Sequence, residues 1–90
     1  MPETRVKIAS EVGLHARPAA AFVQAAAQQP CQVTIARAGS EPVDAKSILS
    51  VLSLALSHGE EAVLRTEGAE ADTALVALAD LLGRDLDAVS

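Results

Sequence analysis

A histidine at position 15 and an arginine at position 17 sit in the stretch "GLHARP", Gly13 to Pro18. Imidazole is a nucleophile near neutral pH, because its ordinary pKa of about 6.5 leaves much of it unprotonated. Guanidinium is a planar cation whose fork of donors matches phosphate oxygens. Pro18 falls where a helix begins, since the first turn needs no N–H there and the fixed φ of proline suits a helix. A helix start leaves its first amides unpaired and carries roughly half a positive charge, which favours an anion. The free donors at this mouth are the amides of Ala16 and Arg17, and Gly13 allows a tight backbone path that swings His15 over them. The stretch is suited to a negatively charged group such as phosphate, held around Ala16, Arg17 and Pro18. His15 either binds that group or carries it covalently through nitrogen.

No second histidine, cysteine or acidic cluster lies at ligand spacing, so no metal is expected. The other histidine, His58, precedes Gly59 and reads as a structural residue at a helix C-terminus, where imidazolium complements the negative end.

The elements that must position this stretch follow from periodicity. Thr4 to Ala9 alternates, with Val6 and Ile8 on one face and Arg5 and Lys7 on the other, as in a strand lying on a core. From Ala16 the spacing becomes helical, burying Ala19, Phe22, Val23 and Ala26, and Pro30 stops the helix. Gln32 to Arg37 reads as a second strand that buries Val33 and Ile35. Ala38 to Pro42 is turn chemistry, which predicts a short third strand near Val43 pairing back as a hairpin. A second helix is predicted from about Ser47 to Leu56, closed by His58-Gly59. Ala62 to Glu67 is a fourth strand whose inward set is either Ala62, Leu64 and Thr66 or the Val63 set; period two alone does not choose. Gly68 leads into a last helix with Glu70 and Asp72 at its positive end. Ala71, Ala74, Leu75, Leu78 and Leu82 form its apolar stripe, and Gly83 ends it. Residues 85–90 read as a frayed tail. The order β-α-β-β-α-β-α on so short a chain predicts one domain over residues 1–90, with a single sheet covered on one face.

Composition narrows the function. Half of the 90 residues are hydrophobic, and Phe22 is the one aromatic residue, so the core is aliphatic. Seven basic residues against twelve acidic ones give a formal charge of −5. That argues against general nucleic-acid binding, which relies on lysines and arginines to displace counterions. It fits docking onto basic patches of other proteins. Cys31 is the one cysteine; it has no partner for an internal disulfide, which places the chain in a reducing compartment. No basic-then-apolar leader opens the chain, and the apolar run Ile48 to Leu56 is too short to span a bilayer. A cytoplasmic location without membrane insertion is expected.

"GLHARPAA" (Gly13 to Ala20) resembles the active-site motif of the HPr family, the histidine-containing phosphocarriers of the bacterial phosphoenolpyruvate:sugar phosphotransferase system. "DAKSILSVLSLALSHGEE" (Asp44 to Glu61) is similar to the family's second signature, which holds a regulatory serine. "GAEADTALVAL" (Gly68 to Leu78) resembles the opening of its C-terminal helix. The resemblance implies an α+β fold, an open-faced β-sandwich. Its four antiparallel strands would run in the order 1-4-2-3, covered on one face by three helices. It implies that His15 takes a phosphoryl group through its δ nitrogen from phospho-enzyme I and passes it to the IIA domains of sugar permeases. By the same match Arg17 contacts the phosphoryl group, and Ser47 is the target of a serine kinase and phosphatase. The implied protein is a stoichiometric carrier rather than an enzyme, monomeric and without a cofactor. Two positions depart from the family pattern. Val12 stands where many members have Asn or Ser, and Ser50 stands where a glycine is common.

The second predicted helix is apolar nearly all round, and one sheet cannot cover every side of it. Ile48, Leu49 and Leu52 are therefore candidate partner-binding residues beside His15. Two alternatives accompany the carrier reading: a regulatory binding module signalling through Ser47, and a carrier in a nitrogen-related phosphotransferase chain. A small ferredoxin-like RNA or metabolite binder shares the strand–helix alternation, but it is disfavoured by the acidic charge and the lack of aromatic residues on which bases stack.

Overall fold

The computed structural model describes residues 2–9, 13–14 and 16–83. Among these, four strands and three helices follow in the order β1 (Glu3–Lys7), α1 (Ala16–Ala27), β2 (Gln32–Arg37), β3 (Val43–Asp44), α2 (Ile48–Ser53), β4 (Glu61–Glu67) and α3 (Ala71–Leu82). The strands form one antiparallel sheet in the order β1-β4-β2-β3, as the resemblance implied. β4 lies at its centre, with Thr4 opposite Leu64 on one side and Ile35 opposite Leu64 on the other.

That register settles the inward face of β4. Ala62, Leu64 and Thr66 are buried with Val33 and Ile35 of β2, while Arg65 and Glu67 point away. The Thr66 hydroxyl is buried without penalty because it donates to the Ala71 carbonyl at 2.7 Å. Helix α3 packs on β1 and β4, α1 packs on α2 and α3, and α2 packs on β3. Phe22 of α1 is fully buried in the middle of this aliphatic cluster. Truncation of so large a buried side chain costs roughly 3–5 kcal/mol.

The open face of the sheet carries charge. Arg5 pairs with Glu61 at 3.1 Å, and Arg65 pairs with Glu3. The Arg65 guanidinium holds the Glu3 carboxyl below the usual carboxylate range, first by hydrogen bonding and then by charge. These exposed pairs define the solvent side and contribute little stability.

Four boundaries differ from the sequence reading, the first being the start of β1 at Glu3 rather than Thr4. β1 ends at Lys7, so Ile8 and Ala9 leave the ladder. β4 gains Glu61. The largest difference is at α2, which stops at Ser53 instead of Leu56. The amides of Leu54 and Ala55 fold back to Val51 and Leu52 in tight i−3 bonds. Ala55 then turns into the left-handed region at φ +51°, a conformation that ends helices and that normally selects glycine. His58 consequently lies exposed in the turn beyond the helix, not at the helix C-terminus assigned to it above. The tail after residue 83 lies outside the described residues.

Candidate functional site

The site begins where β1 has ended and α1 starts. Gly13 has φ +76°, and a Cβ added there would lie 2.5 Å from the Leu56 carbonyl oxygen and 2.9 Å from the Ser57 Cα. Only glycine permits so close an approach in that conformation. Leu14 follows, its side chain 1 % exposed and its N–H donating to the Leu56 carbonyl at 2.8 Å. One buried side chain and one backbone hydrogen bond thus seat the residue immediately before position 15.

On the other side, α1 opens at Ala16. Pro18 is fully buried in the first turn, where its ring fixes the helical path and its missing N–H costs nothing. Arg17 is exposed and has no hydrogen-bond or ion-pair partner among the described residues. A guanidinium at a helix mouth with no acceptor among the described residues is suited to an anion. His15 lies outside the described residues, and so does Val12; the frame on either side of position 15 is what the structure defines.

The loop that receives Gly13 and Leu14 is itself held firmly. Ile8 donates to the Glu60 carbonyl and accepts from the Gly59 N–H, both at 2.9 Å. The Glu60 carboxylate accepts the Ser57 N–H at 2.7 Å and pairs with Arg37. The Arg37 guanidinium also donates to the carbonyls of Leu54 at 2.5 Å and Ala55 at 2.9 Å. The carboxyl of Glu60 is held below its usual range, chiefly by the Ser57 N–H; partial burial opposes this and the Arg37 charge adds to it.

Helix α2 runs back along α1. Lys46, just before it, donates from Nζ to the Gln29 carbonyl beyond the end of α1, at 3.0 Å. Leu56, just after it, meets Leu14 before the start of α1. Ser47 is the N-cap of α2, its hydroxyl accepting the Ser50 N–H at 3.4 Å. The Ser50 amide, at the position where a glycine is common in the family, is therefore used in the cap. Ile48 is 39 % and Leu49 78 % exposed, whereas Leu52 is half-buried against the core. The six residues of α2, Ile48 to Ser53, span about 9 Å at ~1.5 Å per residue. The exposed apolar side chains therefore stand one helix length from the loop that seats Leu14.

Sequence reasoning named His15, Ala16, Arg17, Pro18, Ser47, Ile48, Leu49 and Leu52. It passed over Arg37, Glu60 and Ala55. One signal was present: Arg37 continues the phase of Val33 and Ile35, so a charge occupies the inward side at the end of β2. Strand alternation places an apolar residue there, and an arginine in that phase has to reach for polar partners.

Comparison with known proteins places this arrangement. A family model described as "PTS HPr component phosphorylation site" matches residues 2–84. A phosphocarrier protein HPr of Pseudomonas aeruginosa is 44 % identical over 87 residues, covering 97 % of each chain. One from Streptomyces coelicolor is 46 % identical over 87 residues, covering 97 % of this chain and 94 % of the other. Among solved structures, a phosphocarrier protein HPr from Bacillus anthracis superposes with a TM-score of 0.86 at 40 % identity. That alignment covers 90 % of this chain and 95 % of the other.

Proposed function

This chain belongs to the HPr family and is a phosphoryl carrier of the phosphotransferase system, and we propose that His15 is the residue that bears the phosphoryl group. The frame around position 15 carries this reading: Leu14 seated on the Leu56 carbonyl, Ala16 opening α1, and Arg17 exposed with no partner among the described residues. His15 receives the group from phospho-enzyme I. The lone pair of its δ nitrogen attacks phosphorus, a nitrogen–phosphorus bond forms, and the bond from phosphorus to the donor breaks with its electron pair left on the donor. The amides of Ala16 and Arg17 and the Arg17 guanidinium then face the phosphoryl oxygens, and Pro18 locks the turn that presents them. The reverse step delivers the group to a IIA domain of a sugar permease.

Each transfer needs a partner's active site, so the chain acts as a stoichiometric carrier and not as an enzyme. It works as a monomer in the cytoplasm and docks through Ile48 and Leu49, with Leu52 at the edge of the patch. Incubation with phosphoenolpyruvate and enzyme I should load one phosphoryl group per chain, and a IIA domain should then remove it. A chain that takes up no phosphate from enzyme I would refute the carrier role.

A second reading concerns Ser47, which adjoins the exposed Ile48 and Leu49. A phosphate placed there by a serine kinase adds roughly −1.5 to −2 charges at the rim of an apolar docking surface, where desolvating it is costly. Aspartate caps helices as well as serine does. Ser47→Asp should therefore melt normally and still slow phosphorylation of His15 by enzyme I. Loading at the wild-type rate would leave Ser47 as a helix cap alone.

A further inference from the structure

Arg37 lies at the end of β2 and belongs to no part of the phosphoryl-accepting motif, yet it is tied to the loop beneath it. One guanidinium nitrogen spans the Leu54 and Ala55 carbonyls while another pairs with Glu60. Glu60 in turn holds the Ser57 N–H. The bonds form a closed ring: strand end, helix end, loop, and back to the strand end. Within that ring Ala55 is kept at φ +51°, a left-handed conformation that a residue with a side chain adopts only when its surroundings impose it. The next carbonyl along the chain, that of Leu56, receives the Leu14 N–H.

We propose that Arg37 is a positioning residue for phosphoryl transfer: by holding the Leu54 and Ala55 carbonyls and Glu60, it fixes the Leu56 carbonyl that seats Leu14 and thereby aims position 15. The proposal rests on the reading of His15 as the acceptor. It assigns Arg37 no contact with phosphate, and it adds a residue that the motif does not contain.

The fork is needed because three acceptors in different directions must be met at once. A lysine ammonium offers a point charge on a flexible stem and lacks a fixed fork. Glu60 alone leaves the two carbonyls with no donor from β2. Among the described residues the loop then keeps its bonds to Ile8 and Leu14 and the internal bonds between Ser57 and Glu60, none of which reaches the Leu54 and Ala55 carbonyls. Misplacing a reacting group by about 1 Å can cost on the order of 10²-fold in rate.

The test uses Arg37→Met, which keeps the aliphatic stem and removes every donor, beside Arg37→Lys and a control, Arg5→Met, on the open face of the sheet. Two quantities are read: the kinetics of phosphorylation by enzyme I, and amide hydrogen exchange at Leu14 relative to Leu64 in the central strand. Arg37→Met should lower kcat by about ten- to a hundredfold with KM for the carrier unchanged, since Ile48 and Leu49 are untouched. Exchange at Leu14 should rise about tenfold or more while Leu64 stays protected. Arg37→Lys should recover only part of kcat, and Arg5→Met should match the wild type in both readouts. Unchanged kcat in Arg37→Met with the label still on His15 would overturn this proposal alone. So would a loss of kcat that merely follows the unfolded fraction, with Leu14 and Leu64 exchanging faster together. Label on another residue in the wild-type protein would overturn the His15 reading and this proposal with it.

Discussion

The Leu14 N–H donates to the Leu56 carbonyl at 2.8 Å, binding the residue that precedes His15 to the loop that follows α2. The same carbonyl oxygen lies 2.5 Å from where a Gly13 Cβ would stand. Gly13→Ala therefore combines backbone strain with a clash that neither backbone can relieve without breaking this bond. Gly39→Ala is the matched control, because Gly39 has φ +84° but nothing within 4 Å of the added carbon. Gly13→Ala should destabilise by more than ~1 kcal/mol and should cost clearly more than Gly39→Ala in thermal melts. Equal losses at the two sites would mean that the approach to Leu56 is not tight.

Ala55 presents the opposite case. Its left-handed conformation costs a residue with a side chain about 1–2 kcal/mol, while glycine there costs about 0.5–1 kcal/mol in unfolded-state entropy. Ala55→Gly should raise stability by up to about 1 kcal/mol, a rise in Tm of several degrees at about 4–8 °C per kcal/mol. A lower Tm would show that the conformation is not strained.

The outline of the fold was largely legible in the sequence, and the details that position the site were not. The Gln32 to Arg37 strand was readable to the residue, because Val33 and Ile35 alternate between a proline and turn residues. The stripe of α3 was equally readable, with Ala74, Leu78 and Leu82 all buried. The phase of β4 was not, because both alternating sets are compatible with a strand; only pairing with β1 and β2 chooses Ala62, Leu64 and Thr66. The end of α2 was missed for a different reason. An alanine carries no stop signal, and Ala55 is turned out of the helix in a loop whose carbonyls Arg37 holds from a distant strand. At His15 and Arg17 residue type and spacing pointed only to a site for an anion at a helix start; the roles of phosphoryl acceptor and phosphoryl contact came from the resemblance to the HPr family.

Arg17 is the exposed cation on the first turn of α1. If its guanidinium meets the phosphoryl oxygens during transfer, Arg17→Ala removes a charge-assisted hydrogen bond worth about 1.5–3 kcal/mol. Transfer into and out of the carrier should slow by roughly 10- to 150-fold, with Tm within experimental scatter of the wild type. Unchanged rates would reduce Arg17 to a surface residue.

Leu49 is the most exposed large apolar side chain of α2, at 78 %. Leu49→Asp should leave Tm nearly unchanged, as surface substitutions usually do. Binding to enzyme I and to IIA domains should weaken together, by about tenfold or more, since burying a leucine is worth about 1.5–3 kcal/mol. Undiminished binding to both partners would remove this helix from the docking surface.

The central claim is that His15 carries the phosphoryl group, and mapping the phosphate tests it most directly. The chain is incubated with labelled phosphoenolpyruvate and enzyme I, in parallel as wild type and as His15→Ala, and the label is followed through acid and base. A phosphoramidate is labile in acid and stable in base. The account predicts one such label per wild-type chain, located on His15, and none on His15→Ala, with His58 unlabelled in both. Acid-labile phosphate retained by the His15→Ala protein would contradict it.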